Sequence, residues 1–251
     1  MIRHSFIFLD KINSKTEQNL WNQGITDWGR FLNTKFIRGI SKKRKLYYDM
    51  QLLKAQKALY FQDSRYFSSM PSTETWRLYE FFKSEAVFLD IETSGLMKQD
   101  YVTVIGLFDG ICTKTMVNSI NLNLDVLKKE LARYKLIVTF NGSSFDLPFL
   151  KKRYPDLLPQ IPHFDLRHAC ARIGLAGGLK KIEKDLGIKR KNKIVEEMYG
   201  GDAASLWRMF LGSGDDYYLN LLVEYNEEDV INLKQIADYV VGELKCRHSK
   251  S

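Results

Sequence analysis

Two acidic residues two positions apart, Asp90 and Glu92, close the apolar run Val87-Phe88-Leu89. In a strand, side chains two apart project from the same face. Two carboxylates on one face repel each other unless a cation sits between them. A D-x-E pattern alone is common and usually marks a solvated strand end. Here the apolar run puts the pair at the mouth of a core strand, and Gly95 permits a tight turn away. A third acid closes Asn141-Gly142-Ser143-Ser144-Phe145-Asp146. Asp146 reads both as an acid complementing a helix start, with Ser143 or Ser144 as cap, and as a partner for the strand acids. A fourth, Asp229, follows Tyr225 by one helical turn, so the two share a face. The apolar stripe Val230, Leu233, Ile236 places Asp229 at the edge of a docked surface, where an acid needs a partner or a metal. Glu224, Glu227 and Glu228 read as a solvated face. Asp90, Glu92, Asp146 and Asp229 together are hard oxygen ligands that suit Mg2+ or Mn2+. Two such ions about 4 Å apart stabilise the attacking and leaving oxygens of an in-line attack on phosphate.

Positioning four acids from three distant segments requires a sheet with helices docked on it. Residues 86–91, 101–108 and 111–117 read as strands, with Asp109-Gly110 as a two-residue hairpin signal between the last two. Residues 122–134 have helical spacing, 136–140 form a short buried strand, and a helix follows over 145–152 with Pro148 in its first turn. His163-Phe164-Asp165-Leu166 reads as a fifth strand, and the rest is helical, ending in a long helix over about 216–244. The expected fold class is therefore α/β, a mixed sheet of three antiparallel then two parallel strands flanked by helices. Ahead of it, residues 1–40 are short helices, 41–60 a basic amphipathic helix, and Ser72 or Thr73 caps a helix running to Phe82.

The segments FLDIETSGL, TFNGSSFDLPFL and YNEEDVINL resemble, in order and spacing, the three motifs of the DEDD exonuclease superfamily, which has a ribonuclease-H-like fold. The second is similar to its counterpart in the proofreading domain of family B DNA polymerases. GGLKKIEKDLGI and YNEEDV look most like stand-alone prokaryotic ribonuclease-H-like proteins regarded as exonucleases. The resemblance spans residues 85 to about 240. It implies metal-dependent 3′→5′ hydrolysis of single-stranded DNA or RNA with two divalent ions, releasing nucleoside monophosphates. It implies that Asp90 bridges both ions, that Glu92 and Asp229 hold the ion beside the attacking water, and that Asp146 serves the other. The superfamily divides by the residue that orients this water. A histidine five before the last Asp would be at Glu224, whereas a tyrosine four before is present as Tyr225. The chain therefore resembles the tyrosine branch. An unperturbed phenol, with a pKa of about 10, orients water better than it removes a proton.

Other features bear on the substrate. By the same resemblance, Ser94 and Leu96 line the terminal nucleotide, and Asn141 and Phe145 contact it. Seven basic residues between Lys180 and Lys193, among them Lys180, Lys181, Arg190 and Lys191, read as a phosphate track. The glycines ahead of Lys180 do not make an ATP loop: no strand precedes them, and no Ser or Thr follows the lysine, so no nucleotide cofactor is expected. His163 and His168 lack the spacing of a helical zinc pair, and Asp165 reads as a strand-end cap in preference to an auxiliary acid near the site. Residues 1–40 look like a degenerate helix-hairpin-helix, with Lys11 and Asn13 at positions usually held by glycine. This segment either contacts nucleic acid, or only packs on the rest of the chain or meets a protein partner.

The composition agrees. There are 251 residues, with 38 Lys+Arg against 30 Asp+Glu, and aromatic residues reach 13%, a balance suited to phosphates and bases. The 45% apolar content rules out a disordered chain. Cys112, Cys170 and Cys246 are isolated and odd in number, against a disulfide framework or zinc ribbon. No apolar run approaches the roughly 18 residues of a membrane span, and no signal peptide is evident, so the expected location is cytoplasmic and no membrane partner is expected. The expected division is a helix-hairpin-helix-like segment at 1–40, a basic helical linker at 41–84 and the exonuclease domain at 85–245. Two rival functions fit the same residues. One is a nucleic-acid-binding module with a vestigial site; the other is a structure-specific endonuclease.

Overall fold

The computed structural model describes residues 1–249 other than Leu96, Lys98 and Tyr199. Ahead of the sheet come helices α1 (Ser14–Asn22), α2 (Trp28–Asn33), α3 (Lys42–Tyr60) and α4 (Trp76–Phe82). The sheet region runs β1 (Ala86–Thr93), β2 (Val102–Phe108), β3 (Thr113–Val117), α5 (Leu124–Leu131), β4 (Leu136–Thr139), α6 (Asp146–Arg153) and β5 (His163–Asp165). Then follow α7 (Leu166–Ile173), α8 (Leu179–Asp185), α9 (Lys193–Glu197), α10 (Gly200–Ser213) and α11 (Asp216–Ser249). Strand order is β3-β2-β1-β4-β5, with β1–β2 and β2–β3 antiparallel and β1–β4 and β4–β5 parallel. This is the mixed sheet expected from the sequence.

The period-two alternation of β1 sorts its side chains between two cores. Val87, Leu89 and Ile91 face α5 and α6, against Leu127, Leu131, Leu147 and Leu150. Phe88 faces the other way, in a core shared with Val230, Leu233 and Ile236 of α11. That second core continues without a break into Phe6, Trp28, Phe31, Leu52 and Trp76, so residues 1–84 and the sheet share one apolar interior. A buried ionic network lies within it. Arg77 donates to Glu74 at 2.8 Å and to Glu17 at 2.8 Å, and Glu17 accepts from the Ser5 hydroxyl at 3.0 Å.

Two local expectations are corrected. The Asp109-Gly110 turn is a four-residue loop, because the Asp109 carboxylate accepts from the amides of Ile111 and Cys112, both at 2.8 Å, and Phe108 pairs with Thr113. Residues Ser72–Glu74 form a 3-10 turn instead of a capped helix start, and α4 begins at Trp76. Lys11 takes φ +59°, whereas Asn13 is extended and caps α1 by accepting from the Thr16 amide.

Candidate functional site

β1 pairs with β4 only over Ala86–Phe88. Beyond that point its β4-side edge is open, and the Ile91 amide donates instead to Asp146 Oδ1 at 3.2 Å. Asp146 is the first residue of α6, after the β4–α6 loop, and the open strand edge brings it to the amide of Ile91, the residue that separates Asp90 from Glu92 in the chain. Asp165 holds that loop in shape. Its carboxylate accepts from the Asn141 amide at 2.8 Å, from the Ser143 amide at 3.0 Å and from the Ser143 hydroxyl, and it caps α7. Burial pushes the Asp165 carboxyl up, but the Ser143 and Asn141 donors outweigh it and hold the group below its ordinary value. The strand-end role expected of Asp165 is what the geometry shows.

α11 crosses the face that carries Asp90 and Glu92. Asp90, Glu92 and Asp229 bring carboxylate oxygens within 4.8 Å of one another. Asp146 stands just outside this trio. Asp90 also accepts from Asn226 Nδ2 at 2.9 Å. That contact depends on Gly106, the cross-strand partner of Asp90. A Cβ on Gly106 would come within 2.9 Å of Asn226 Cγ and 3.2 Å of Val230 Cγ1. The sequence marks Gly106 only as a glycine inside a strand pattern, and such a glycine signals close approach by another chain segment.

Electrostatic strain concentrates here. Burial, followed by repulsion from Asp146, Asp229 and Glu92, raises the Asp90 carboxyl well above its ordinary value despite the Asn226 hydrogen bond. Burial, Asp229 and Asp146 do the same to Glu92. Burial raises Asp146 to about 7. Asp229 rises to about 6 through burial, opposed by Arg190. Four crowded carboxylates with raised pKa values are a set of hard donors short of positive charge. Their chemistry fits a divalent cation.

Tyr225 is buried one turn before Asp229 and lines the same cleft of about 380 Å³, together with Phe145, Phe140 and Leu179. Burial, and then the neighbouring Asp229, Glu92 and Asp90, push its phenol above the ordinary value. Lys180 Nζ and Arg190 Cζ each lie 5.3 Å from its ring centroid.

Several expected substrate contacts are engaged elsewhere. Arg190 is buried and is not part of a phosphate track. It donates to Glu183 from two nitrogens at 3.0 Å, and to Asp229 Oδ1. Lys180 is turned inward as well, donating to the carbonyls of Val195 at 2.8 Å, Glu196 at 2.9 Å and Met198. These carbonyls lie around the C-terminal end of α9, which a lysine stabilises. Lys181 is exposed and pairs with Asp185 at 2.6 Å, and Lys191 is exposed. Ser94 donates to Asp100 at 2.9 Å, which folds the loop after β1. Asn141 sits at φ +66° with its side-chain oxygen accepting from Arg167 at 2.7 Å. Leu96 lies outside the described residues. The solvated face expected for Glu227 and Glu228 is also corrected. Glu228 is buried and accepts from the Lys191 amide at 2.8 Å, and Glu227 accepts from the Thr115 hydroxyl at 2.6 Å.

Residues 87–241, more than half of the chain, match the family described as the RNase_H superfamily. The chain belongs to the RNase H superfamily. The acidic cluster of Asp90, Glu92 and Asp229 lies within the residues that match this superfamily. An uncharacterised Bacillus subtilis protein, YprB, is 30% identical over 171 residues, covering 60% of this chain and 40% of that relative. The family B DNA polymerase of Pyrobaculum calidifontis shares the fold with TM-score 0.51 at 15% identity, over 62% of this chain and 24% of the polymerase. A structure described as the apo form of a nuclease aligns with TM-score 0.47 at 18% identity, over 70% and 78% of the two chains. The chain thus spans under half the length of the curated relative it matches. Among the described residues, no helix is long and apolar enough to cross a membrane.

Proposed function

We propose that this RNase H superfamily member is a 3′→5′ exonuclease of the tyrosine-type DEDD group, hydrolysing single-stranded DNA or RNA to nucleoside monophosphates. The observation that carries this reading is the meeting of Asp90, Glu92 and Asp229 within 4.8 Å, with Asp146 beside them and Tyr225 one turn away. Asp90, Glu92, Asp146 and Asp229 would hold two divalent ions, Mg2+ or Mn2+. Bound there, the ions supply charge stabilisation to the attacking and leaving oxygens of a phosphodiester.

The protein's own groups do the rest. Tyr225, kept protonated by its buried and acidic surroundings, orients the attacking water by hydrogen bonding. Asn226 fixes the Asp90 carboxylate, and Arg190 fixes that of Asp229. Phe145 offers an aromatic edge in the cleft for the terminal base. Contacts of Ser94, Leu96 and Asn141 with that nucleotide rest on the motif resemblance alone. Lys181 and Lys191 remain as exposed cations toward the phosphate backbone.

The test is cleavage of 5′-labelled single-stranded DNA and RNA of one sequence, with Mg2+ or Mn2+. A ladder receding from the 3′ end with mononucleotide release supports the proposal. Internal oligonucleotide products would assign the same acids to an endonuclease. Binding without cleavage of either strand would reduce the site to a vestigial one.

A further inference from the structure

Helix α3 presents two hydrophobic seams, and only one is used by the fold. Lys45, Tyr48, Leu52, Ala55 and Leu59 are buried against the protein, with α3 packed on α2. Lys45 lies in this seam because its ammonium is held by Asp49 at 2.6 Å and by the Phe31 ring at 4.9 Å. On the outer side stand Leu46, Met50, Leu53 and Tyr60, with exposures of 67%, 57%, 55% and 82%. Together with Lys43 and Lys57 they fall at 43, 46, 50, 53, 57 and 60, alternately three and four apart. That is the a/d repeat of a helix seated against another helix. Tyr47, Lys54 and Phe61 flank the seam at heptad spacing, and Phe61 is 64% exposed.

The charge pattern selects the occupant. Around the seam lie Lys42, Lys43, Arg44, Lys54 and Lys57, and the acid of this helix, Asp49, is already paired with Lys45. A second copy of the same face would set lysine against lysine. A single strand of nucleic acid would find rings at the margins and one end of the face, in Tyr47, Tyr60 and Phe61, but aliphatic Leu46, Met50 and Leu53, which do not stack, along its centre. We propose that the outer face of α3 docks an amphipathic helix of a protein partner, with leucine-type residues at its a and d positions and acidic residues flanking them. The inference is independent of the nuclease chemistry, because none of these residues touches the acidic cluster.

The test uses the full chain and a fluorescein-labelled designed peptide of about four heptads, with Leu at a and d and Glu at e and g. Anisotropy should show binding. The double variant Leu46→Glu/Leu53→Glu should weaken it about tenfold or more while leaving the circular dichroism spectrum unchanged, since both side chains are exposed. The triple variant Lys43→Glu/Lys54→Glu/Lys57→Glu should transfer preference to a peptide with Lys at e and g. Three results would each overturn the proposal. One is no peptide binding, or binding that neither variant changes. Another is labelled oligo-dT captured through the leucines while the peptide is ignored. The last is a dimer of the protein itself that the leucine variant dissociates.

Discussion

The Nη2 of Arg190 donates both to the Asp229 carboxylate and to Glu183 at 3.0 Å, and Nε donates to the second Glu183 oxygen, also at 3.0 Å. A candidate metal ligand is thereby oriented by a residue 39 positions away, itself locked in place because Asn232 donates to Glu183 at 2.8 Å. Removing the cation would strand two buried acids. Arg190→Met is expected to lower stability by about 3–5 kcal/mol. Divalent ions should recover part of that loss, so the rise in melting temperature with Mg2+ should be larger in the variant than in the wild type. Thermal melts in EDTA and in Mg2+ check both. Equal stability of variant and wild type in EDTA would contradict the role given to Arg190.

Asp146 at about 7 and Asp229 at about 6 titrate above the ordinary carboxylate value of about 3.9. Between that value and the raised ones, the folded protein keeps protons that the unfolded chain has lost. The contribution of these groups to metal-free stability therefore falls as pH rises from about 4 to about 7. Cation binding needs the ionised acids. Stabilisation by saturating Mg2+ should thus be greater at about pH 8 than at about pH 5.5, as differential scanning fluorimetry would show.

Gly106 leaves room for Asn226 to reach Asp90. Gly106→Ala brings a Cβ within 3.2 Å of Val230 Cγ1 and closer still to Asn226. The expected outcome is a loss of about 1–3 kcal/mol together with reduced cleavage, read by urea unfolding and a nuclease assay. Asn226→Ala should lose activity while denaturing nearer to the wild type, because it removes the contact without overpacking.

Tyr225→Phe retains the ring that faces Lys180 and Arg190, each at 5.3 Å, and deletes only the hydroxyl. Stability should change by under about 1 kcal/mol. The expected kinetic effect is a fall in kcat of about 10²- to 10³-fold with little change in KM, because the hydroxyl acts on the water and not on the strand. An unchanged kcat would remove Tyr225 from the mechanism.

Much of the fold is legible in the sequence because its elements are set by local pattern. The apolar run ending in Asp90 and Glu92 fixes a core strand with both acids on one face. The stripe Val230, Leu233, Ile236 fixes the docked side of α11 and so brings Asp229 to the sheet. Asp146 is legible as a helix start beside that sheet. The partners that hold these acids are not legible, since they meet only through the tertiary fold. Asn226 reaches Asp90 across 136 residues, and nothing near Arg190 distinguishes it from the exposed Lys189 and Lys191 on either side. Lys180 misleads for a similar reason. A basic residue in a basic run reads as solvent-facing, and only the placement of α9 turns it toward three carbonyls.

Electron paramagnetic resonance of Mn2+ with the wild type and Asp90→Ala reports whether the four acids hold divalent cations. Losing Asp90 relieves repulsion among Glu92, Asp146 and Asp229, so the variant should stay folded in the absence of metal. The wild-type protein should bind Mn2+, and the variant should lose that binding. Equal Mn2+ binding by both proteins would contradict a cation site at the four acids.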